Sequence, residues 1–482
     1  MNIPLILNIV SVVLIFTSLF MIFPIIVSLI YNQSDTLPIT KSFLITFLSG
    51  ILPYLLTKKH KTDEIRHRDA FLVVTISWLL VAFYGSLPYL FTNTFSSITD
   101  AYFESMAGFT TTGASALRDI EIVPKGVLFW RSLTQWIGGM GIILFALAIL
   151  PMLGTGGMQL FKAEVPEISV DKLRPRIIDT AKSLWFIYVG LTIFATAFYL
   201  AGGMDLYDAL CHSFTTMATG GFSTKNASIA YFNSPFIEYS SAVFMFLAGV
   251  NYSLYFYVFK GNPSRLWKNN EFRFYLFVTL VTTIAIALSI WKTSCNTLQD
   301  SFRYAFFQVS SIMTTTGYAT ADFEKWPYLS QIILLVLMFF GGMIGSTAGG
   351  IKQVRILLML KQGFRELYQL IHPHAVTSLK LDGKFLTKEI LGSIWGFLFL
   401  FLFVYAIASI CMTATGMDII TSSSTVLSAM SNVGPALGEA GPAENYSSIP
   451  IAGKWILTFC MLVGRLEIYT VLILFVPNYW KK

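Results

Sequence analysis

Charged side chains are scarce in this sequence: 12% of its 482 residues are charged, whereas 55% are hydrophobic. A soluble domain has about 25% charged residues, because its surface must face water. The composition therefore excludes a soluble enzyme, a nucleic-acid-binding protein and a disordered chain. It indicates a polytopic membrane protein surrounded by lipid. We expect an all-α fold, since helices satisfy their own backbone hydrogen bonds in a bilayer.

Motifs for catalysis, metal binding and nucleotide binding are also lacking. The four cysteines have no paired spacing, and the five histidines form no metal motif; His372 and His374 fit a solvated loop. There is no Gly-rich phosphate-binding motif, so any nucleotide effect must come from another chain. No cluster of reactive side chains lies in an apolar segment, which argues against a membrane enzyme.

Long apolar runs are what the sequence has instead. A transmembrane helix needs about 20 such residues. Ten segments read as spans: residues 3–30, 41–57, 71–92, 130–151, 183–204, 237–259, 273–292, 328–352, 387–413 and 453–477. Four shorter apolar stretches cannot cross: residues 100–112, 207–219, 301–316 and 421–432. We predict that these four enter the membrane and turn back, which a broken backbone can do where it lines a cavity.

The basic residues predict the orientation of the chain. Of the 33 lysines and arginines, 23 fall in every second connection between the ten spans or after the last span. Because cytoplasmic loops are enriched in basic residues, these connections and both termini are predicted to be cytoplasmic. The four short segments then all enter from the outside. The loop at 352–388, with seven basic residues, is explained equally well as ordinary cytoplasmic charge and as a docking surface for a cytosolic partner.

The four short segments end alike, with small or hydroxylated residues followed by glycine. These glycines recur at intervals of 97 to 117 residues, and each short segment lies between two spans. The pattern predicts four repeats of span, short helix and span, arranged with pseudo-fourfold symmetry about the membrane normal. The chain then divides into an N-terminal helix pair at 1–60 and repeats at 61–160, 161–265, 266–370 and 371–482.

The ends of the short segments carry the groups that a dehydrated cation needs. Backbone carbonyls can replace its hydration shell, threonine hydroxyls can add ligands, and glycine permits positive φ and close approach. Each short helix would also direct the negative end of its dipole at the ion. The predicted ligands are Thr111, Thr112 and Gly113; Ala218, Thr219 and Gly220; Thr315, Thr316 and Gly317; and Asn432, Val433 and Gly434. A single intramembrane glycine usually means helix packing, but four matching ends favour a pore.

On these residues the sequence resembles the Trk-type membrane subunits of the Trk/Ktr/HKT potassium transport superfamily, over essentially its whole length. The segment 315–318 is most similar to a potassium-channel filter, and 432–435 departs most from one. The resemblance implies a single-chain K+ pore in the bacterial inner membrane, a homodimer and a cytosolic nucleotide-binding regulatory ring. It favours K+ because serine in place of the first filter glycine accompanies Na+ transport in this superfamily.

Arg465 is the first of two features expected beneath the filter. A charge in the middle of a span costs about 2.5–3.5 kcal/mol, so it is a functional candidate by default. The spans that follow the short segments align through their glycines, which places Arg465 level with Met140, Val250 and Met343. We predict a pore-facing cation that opposes K+. Pairing with Glu467 is a poor alternative, because residues i and i+2 do not face each other on a helix.

The glycine-rich run at 341–350 is the second feature. So many glycines cannot hold a regular helix, since each costs about 1 kcal/mol there. We predict an unwound intramembrane loop that acts as a gate, as the resemblance also implies; a tight helix-packing seam is the alternative. The predicted gate residues are Gly342, Gly345, Thr347, Gly349, Gly350 and Arg465.

Two questions stay open at the level of sequence. A transporter that couples K+ to Na+ or H+ could use the same ring, but coupling carboxylates near the midplane are expected in such proteins, and only Glu467 is available. Acids near the outer helix ends could attract cations or cap the short helices. These acids are Asp100, Glu104, Asp205, Asp208 and Asp300.

Overall fold

The computed structural model describes residues 1–60, 67–141, 177–375, 378–386 and 388–481. Helices dominate this part of the chain, and its strands form one short antiparallel hairpin, Lys380–Leu381 with Lys384–Phe385. The predictions for 142–176, including the end of span 130–151 and the boundary at 160/161, lie outside the described residues, as does the boundary at 60/61.

One group of helices lies between Ile3 and Ala201. They are Ile3–Phe20, Ile22–Ile30, Thr36–Thr57, His67–Gly85, Leu87–Phe91, Ile98–Phe109, Lys125–Trp136, a π turn at Ile137–Gly141, and Ile177–Ala201. The remaining helices are Leu206–Met217, Pro235–Ala248, Tyr252–Phe259, Ser264–Lys268, Asn270–Ile290, Leu298–Met313, Tyr328–Phe339, Gln353–Ile371, Lys388–Thr413, Ile419–Ser431, Ile451–Arg465, Tyr469–Leu472 and Pro477–Trp480. Single 3-10 turns occur at Lys58–His60, Ser228–Phe232, Phe323–Lys325, Gly438–Ala440, Tyr446–Ser448 and Ile473–Phe475.

Within the described residues, six helical segments are long and apolar enough to cross a membrane, as expected of a polytopic protein. They are Ile3–Ile30, Thr36–Thr57, Arg68–Phe91, Lys182–Ala201, Asn270–Ile290 and Ile390–Thr413. Each corresponds to one of the ten predicted spans. Their outward faces carry large exposed apolar side chains, such as Leu56 and Phe186, because lipid rather than water is the solvent there.

The other predicted spans are not continuous helices, which corrects the prediction from hydropathy. Segment 237–259 bends by 98° between Ala248 and Tyr252, and segment 453–477 bends by 112° after Arg465. In segment 328–352 the helix ends at Phe339, and in 130–151 it passes into the π turn that contains Gly138 and Gly139. Glycine lies at or next to each break, where the absence of a side chain permits close approach of neighbouring backbone.

The segment 352–388 also differs from the predicted loop. Most of it is the helix Gln353–Ile371, and the strand hairpin at 380–385 follows. The helix has exposed apolar residues on one side, among them Phe364 and Leu370. The predicted boundary between repeats at 265/266 falls inside the short helix Ser264–Lys268. The division of the chain into repeats stays a prediction, and this boundary needs adjustment.

The N-terminal helix pair is fastened to the helix Lys125–Trp136. Asp35 is buried, and its Oδ2 accepts the backbone N–H of Val127 at 3.0 Å, while Gln33 Oε1 accepts that of Lys125 at 3.1 Å. These are two of the orphan N–H groups with which any helix begins. The pair therefore caps a helix that, as described below, reaches the centre of the molecule.

Candidate functional site

The four short helices, Ile98–Phe109, Leu206–Met217, Leu298–Met313 and Ile419–Ser431, each end in a loop of the same conformation. We call residues 110–114, 218–222, 314–318 and 432–436 loops 1 to 4. One residue near the start of each loop has a left-handed backbone with φ of 53° to 58°. These residues are Thr111, Thr219, Thr315 and Asn432. Such angles are uncommon outside glycine. Their recurrence at four matching positions marks one local structure used four times.

Each loop then reaches a glycine with positive φ, and here the predicted register is wrong by one residue in loop 2. The positive-φ glycines are Gly113, Gly221, Gly317 and Gly434, with φ of 78°, 74°, 84° and 102°. Backbone bonds confirm the alignment, because the N–H groups of Gly113, Gly221 and Gly317 all point at the carbonyl six residues earlier. The candidate triplet of loop 2 is therefore 219–221, and Ala218 belongs to the helix end.

The four loops close into a ring. A side-chain carbon added to Gly113 would overlap the carbonyl of Gly220, and one added to Gly221 would overlap that of Thr316. Gly317 stands in the same relation to Val433, and Gly434 to the carbonyl of Thr112. The order of contacts runs from loop 1 through loops 2, 3 and 4 and returns to loop 1. A carbonyl at the equivalent position of each loop thus packs against the glycine of its neighbour, and the four contacts close a cycle.

Buried side chains brace the ring from behind. Gln135 Nε2 donates to the carbonyl of Gly220 at 2.7 Å, and its Oε1 accepts the N–H of Phe222 at 3.1 Å. The Tyr318 hydroxyl bonds Thr215 and donates to the carbonyl of His212 at 3.1 Å, tying loop 3 to the second short helix. Since a ring of carbonyls must resist collapse onto the ion, such bonds hold the loops at a fixed separation.

An ion pair behind loops 1 and 2 was missed by the sequence prediction. Arg131 Nε lies 2.6 Å from Glu104 Oε1, with side chains only 3% and 0% exposed. The Glu104 carboxylate also accepts the N–H of Ala116 at 2.8 Å, and Arg131 donates to the carbonyl of Ser223 at 2.9 Å. The available signal was one acid and one base in two apolar segments, where burial demands a partner.

The glycine-rich segment 340–352 is irregular, as predicted, and contacts loop 3, loop 4 and the end of the second short helix. The N–H of Gly349 donates to Thr315 Oγ1 of loop 3 at 2.7 Å, and Thr347 Oγ1 donates to the carbonyl of Met217 at 3.0 Å. A side-chain carbon on Gly349 would overlap the carbonyl of Ser431. We call this segment the intramembrane loop.

Glu271 holds the base of the intramembrane loop. Its Oε1 accepts the N–H groups of Ile344 at 2.9 Å and of Val354 at 3.1 Å. Val354 belongs to the first turn of helix Gln353–Ile371, so the carboxylate also faces the positive end of that helix dipole. Glu271 is buried, and it was not among the predicted site residues.

Arg465 is the last residue of helix Ile451–Arg465, called the last helix below, and it connects that helix to the intramembrane loop. Its guanidinium donates to the carbonyl of Thr347 at 2.9 Å, of Gly138 at 2.6 Å and of Gly139 at 2.9 Å. Gly464 packs closely against a backbone carbonyl at the end of the fourth short helix, and Gly138 packs in the same way at the end of the first. Arg465 is therefore level with Gly139, one residue from the predicted Met140.

Glu467 follows Arg465 by two residues but bonds a different cation. It forms an ion pair with Arg355, whose guanidinium carbon lies 3.9 Å from the centre of the Phe397 ring. Arg355 is in helix Gln353–Ile371, directly after the intramembrane loop. Glu467 and Ile468 have φ of 56° and 60°, so the break in the last helix carries local strain.

The acids near the outer helix ends have specific partners. Asp205 caps the second short helix by accepting the N–H of Asp208 at 2.7 Å. The other acids form ion pairs: Asp100 with Lys454, Glu104 with Arg131, Asp208 with Lys225, and Asp300 with Arg303. Asp418 also acts as an N-cap, and its bonds to Thr421 hold the pKa of that carboxyl below its ordinary value. Most of the acids are thus neutralised rather than offered to solvent.

Side-chain metal ligands do not gather anywhere in the described ranges. No group of three or more His, Cys, Asp or Glu residues there could hold a metal ion. The contacts between loops 1 to 4 instead involve backbone carbonyl oxygens, the class of donor that cation-selective channels use. Bundled apolar helices around such a ring define a polytopic membrane transport protein.

Comparison with known proteins identifies the family. The TrkH family model, described as a cation transport protein, matches residues 36–482. The Trk system potassium uptake protein TrkH of Escherichia coli K12 is 41% identical over 479 residues, covering 98% of this chain and 99% of that protein. TrkG of the same organism is 35% identical over 467 residues, covering 96% of each.

A solved structure agrees over the full length. The crystal structure of the potassium transporter TrkH from Vibrio parahaemolyticus superposes with a TM-score of 0.91 at 38% identity and covers 100% of both chains. The chain therefore belongs to the TrkH family of cation transport proteins, and the predicted family is confirmed. It is a membrane transport subunit and not an enzyme.

Proposed function

We propose that this chain carries K+ into the cell through the ring formed by loops 1 to 4. The observation that carries the proposal is the cyclic contact of the four positive-φ glycines with the carbonyls of Thr112, Gly220, Thr316 and Val433. A cation on the common axis would find carbonyl oxygen on every side and lose little on leaving water. The predicted ligand set is kept, with 219–221 in place of 218–220 in loop 2.

Potassium is the ion that the donor set and the relatives favour. All four loops keep glycine at the position of close contact, so nothing narrows the ring there. The similar proteins of Escherichia coli are named potassium uptake proteins. Asn432 replaces threonine in loop 4, and the ring is therefore not fourfold in its side chains.

The proposed architecture is ten spans in the bacterial inner membrane with both termini in the cytoplasm. Four repeats surround the axis, and the pair at 1–60 lies outside them. Six apolar helices, two bent pairs and the shorter helices Lys125–Trp136 and Tyr328–Phe339 support this count. The equivalent backbone conformation of loops 1 to 4 supports the fourfold arrangement.

Arg465 and the intramembrane loop form the proposed gate. The intramembrane loop contains Gly342, Gly345, Thr347, Gly349 and Gly350. It contacts the end of the second short helix, loop 3 and loop 4, and Arg465 joins it to the π turn Ile137–Gly141. A guanidinium on the axis repels a cation that leaves the ring. Passage of K+ then requires both the loop and the Arg465 side chain to move.

A channel-like mechanism fits the carboxylates better than coupling to H+ or Na+. Glu467 is paired with Arg355, and Glu271 accepts two backbone N–H groups. Both carboxylates are thus engaged in contacts that hold the last helix and the intramembrane loop, and neither is an unpaired acid at the ring. The coupled transporter remains the second candidate in the experiment below.

Partners follow from the family name and the cytoplasmic surface. Relatives named after a Trk system imply further subunits. We propose a homodimer, since the helix Gln353–Ile371 presents exposed apolar residues. We also propose a cytosolic nucleotide-binding regulatory ring, which binds the basic cytoplasmic surface.

Flux from liposomes that contain the purified chain tests the function. We expect K+ flux that exceeds Na+ flux, with no change when a pH gradient is imposed. A flux that follows the pH gradient or needs Na+ would support the coupled transporter, and equal K+ and Na+ fluxes would contradict the selective ring. Gly113→Ser is the informative variant, because its side chain would meet the Gly220 carbonyl, and Gly363→Ser is its control, since nothing lies within 4 Å of Gly363.

A further inference from the structure

One hydrogen bond joins the intramembrane loop to the ring. The N–H of Gly349 donates to Thr315 Oγ1 at 2.7 Å, and both residues are buried. Thr315 occupies the left-handed position of loop 3, at the end of the loop that faces the intramembrane loop. A hydroxyl oxygen that belongs to the ring is therefore already occupied by the gate.

The same position in the other loops is different. Thr111 Oγ1 and Asn432 Oδ1 are buried and have no hydrogen-bond partner among the described residues. The Thr219 hydroxyl donates to the carbonyl of Ala218 at 2.6 Å, which leaves its lone pairs free of a donor. Buried acceptors without a donor cost free energy, and a cation would satisfy them. Only Thr315, of these four, accepts a bond from the intramembrane loop.

Gly349 fits tightly between two neighbouring loops. A side-chain carbon on it would overlap the carbonyl of Ser431 and lie 3.1 Å from Asn432 Oδ1. Its N–H group carries a partial positive charge, and it lies beside the oxygens of Thr315 and Asn432. The N–H of Gly349 would therefore repel, at close range, a cation that is bound by those oxygens.

We propose that K+ at this level of the ring and the closed intramembrane loop compete for Thr315 Oγ1. Thr315 is then a positioning residue through which ion occupancy favours an open gate. The coupling is reciprocal: if loop release raises the affinity of the site for K+, K+ raises the population of the released loop by the same factor. This inference rests on the proposed function, since it assigns loops 1 to 4 to K+.

Single-channel recording in planar bilayers tests the coupling. K+ is varied at constant ionic strength with an impermeant organic cation, and the open probability is measured. For the unmodified chain we expect open probability to rise with K+. Thr315→Val removes the acceptor, so the ratio of open to closed states at low K+ should rise by about 2- to 10-fold, the effect of one ordinary hydrogen bond, and its dependence on K+ should flatten.

Thr111→Val is the matched control, because it removes the equivalent hydroxyl in loop 1 without touching the bond to Gly349. It should alter conductance while the open probability keeps its dependence on K+. Gly349→Ala, with Gly363→Ala as control, displaces the loop without changing a loop 1 to 4 residue and should reproduce the effect of Thr315→Val.

Two results would overturn the coupling: an open probability of the unmodified chain that ignores K+, or dependence on K+ that persists in both Thr315→Val and Gly349→Ala. A chain that passes no K+ at all would overturn the proposed function itself, and the coupling with it.

Discussion

The Arg465 guanidinium donates to the carbonyl of Thr347 at 2.9 Å and, at the same time, to those of Gly138 and Gly139. One side chain thus joins the last helix, the intramembrane loop and the helix of repeat 1. In the proposed gate, charge and hydrogen bonding act in the same direction, because the cation would repel K+ and the donors hold the intramembrane loop in place.

Replacing Arg465 by alanine should therefore open the pathway. Each bond between a charged donor and a carbonyl contributes about 1.5–3 kcal/mol, so we expect K+ flux to rise by at least about tenfold. Arg465→Lys keeps the charge but loses the planar fork, and it should give an intermediate flux. The measurement is K+ efflux from liposomes, with the exposed Arg273 replaced by alanine as control. Unchanged efflux in Arg465→Ala would remove Arg465 from the gate.

Gly221 rather than Gly220 should be the sensitive glycine of loop 2. Gly221 has φ of 74°, and an added methyl group would overlap the backbone carbonyl of Thr316. At Gly220 the obstacle is the side chain of Gln135, so a methyl group there disturbs the brace behind the ring and not the ring backbone. We expect Gly221→Ala to abolish K+ uptake and Gly220→Ala to reduce it less. Uptake by cells that lack other K+ transporters, normalised to membrane protein, decides between the two registers; the opposite ranking would restore the register predicted from sequence.

The register in loop 2 shows where sequence reasoning reached its limit. In loops 1, 3 and 4 one glycine follows the hydroxylated residues, and the spacing identifies it. In loop 2 two glycines follow Thr219, and both satisfy the same pattern. Only the backbone angles separate them, since positive φ falls on the second.

The positions of the long apolar helices were predicted better than the shape of the other spans. Hydropathy found the six long helical segments because each lies in one unbroken apolar run. It could not find the bends after Ala248 and Arg465, because apolar residues continue on both sides of each break. The bonds that hold the site, such as those of Glu271 to Ile344 and Val354, join residues more than 70 positions apart and leave no local signal.

Glu271→Ala should loosen the intramembrane loop. It removes the acceptor of two buried N–H groups, and each unpaired group costs about 1–3 kcal/mol. We expect a K+ leak without loss of selectivity over Na+, because the residue lies far from the ring contacts. Glu271→Gln keeps one carbonyl oxygen and should leak less. Efflux of K+ and Na+ is compared with that of Glu366→Ala, a change at an exposed position of the following helix. If the Glu271→Ala protein is less stable but does not leak K+ when folded, Glu271 has a structural role and no role in the gate.

The ion pair of Arg131 and Glu104 should determine whether loops 1 and 2 hold their shape. Removing one partner leaves an uncompensated buried charge, which costs about 3–5 kcal/mol. Arg131→Leu and Glu104→Leu should each lower the unfolding temperature in detergent and reduce selectivity for K+ over Na+. The double variant should lose less than the sum of the two, because no lone charge is left. The exposed pair Lys325 and Asp322, with 82% and 22% side-chain exposure, is the control and should contribute at most about 1 kcal/mol. Additive losses in the double variant would show that the two residues act separately, and the brace between the loops would then have to come from Gln135.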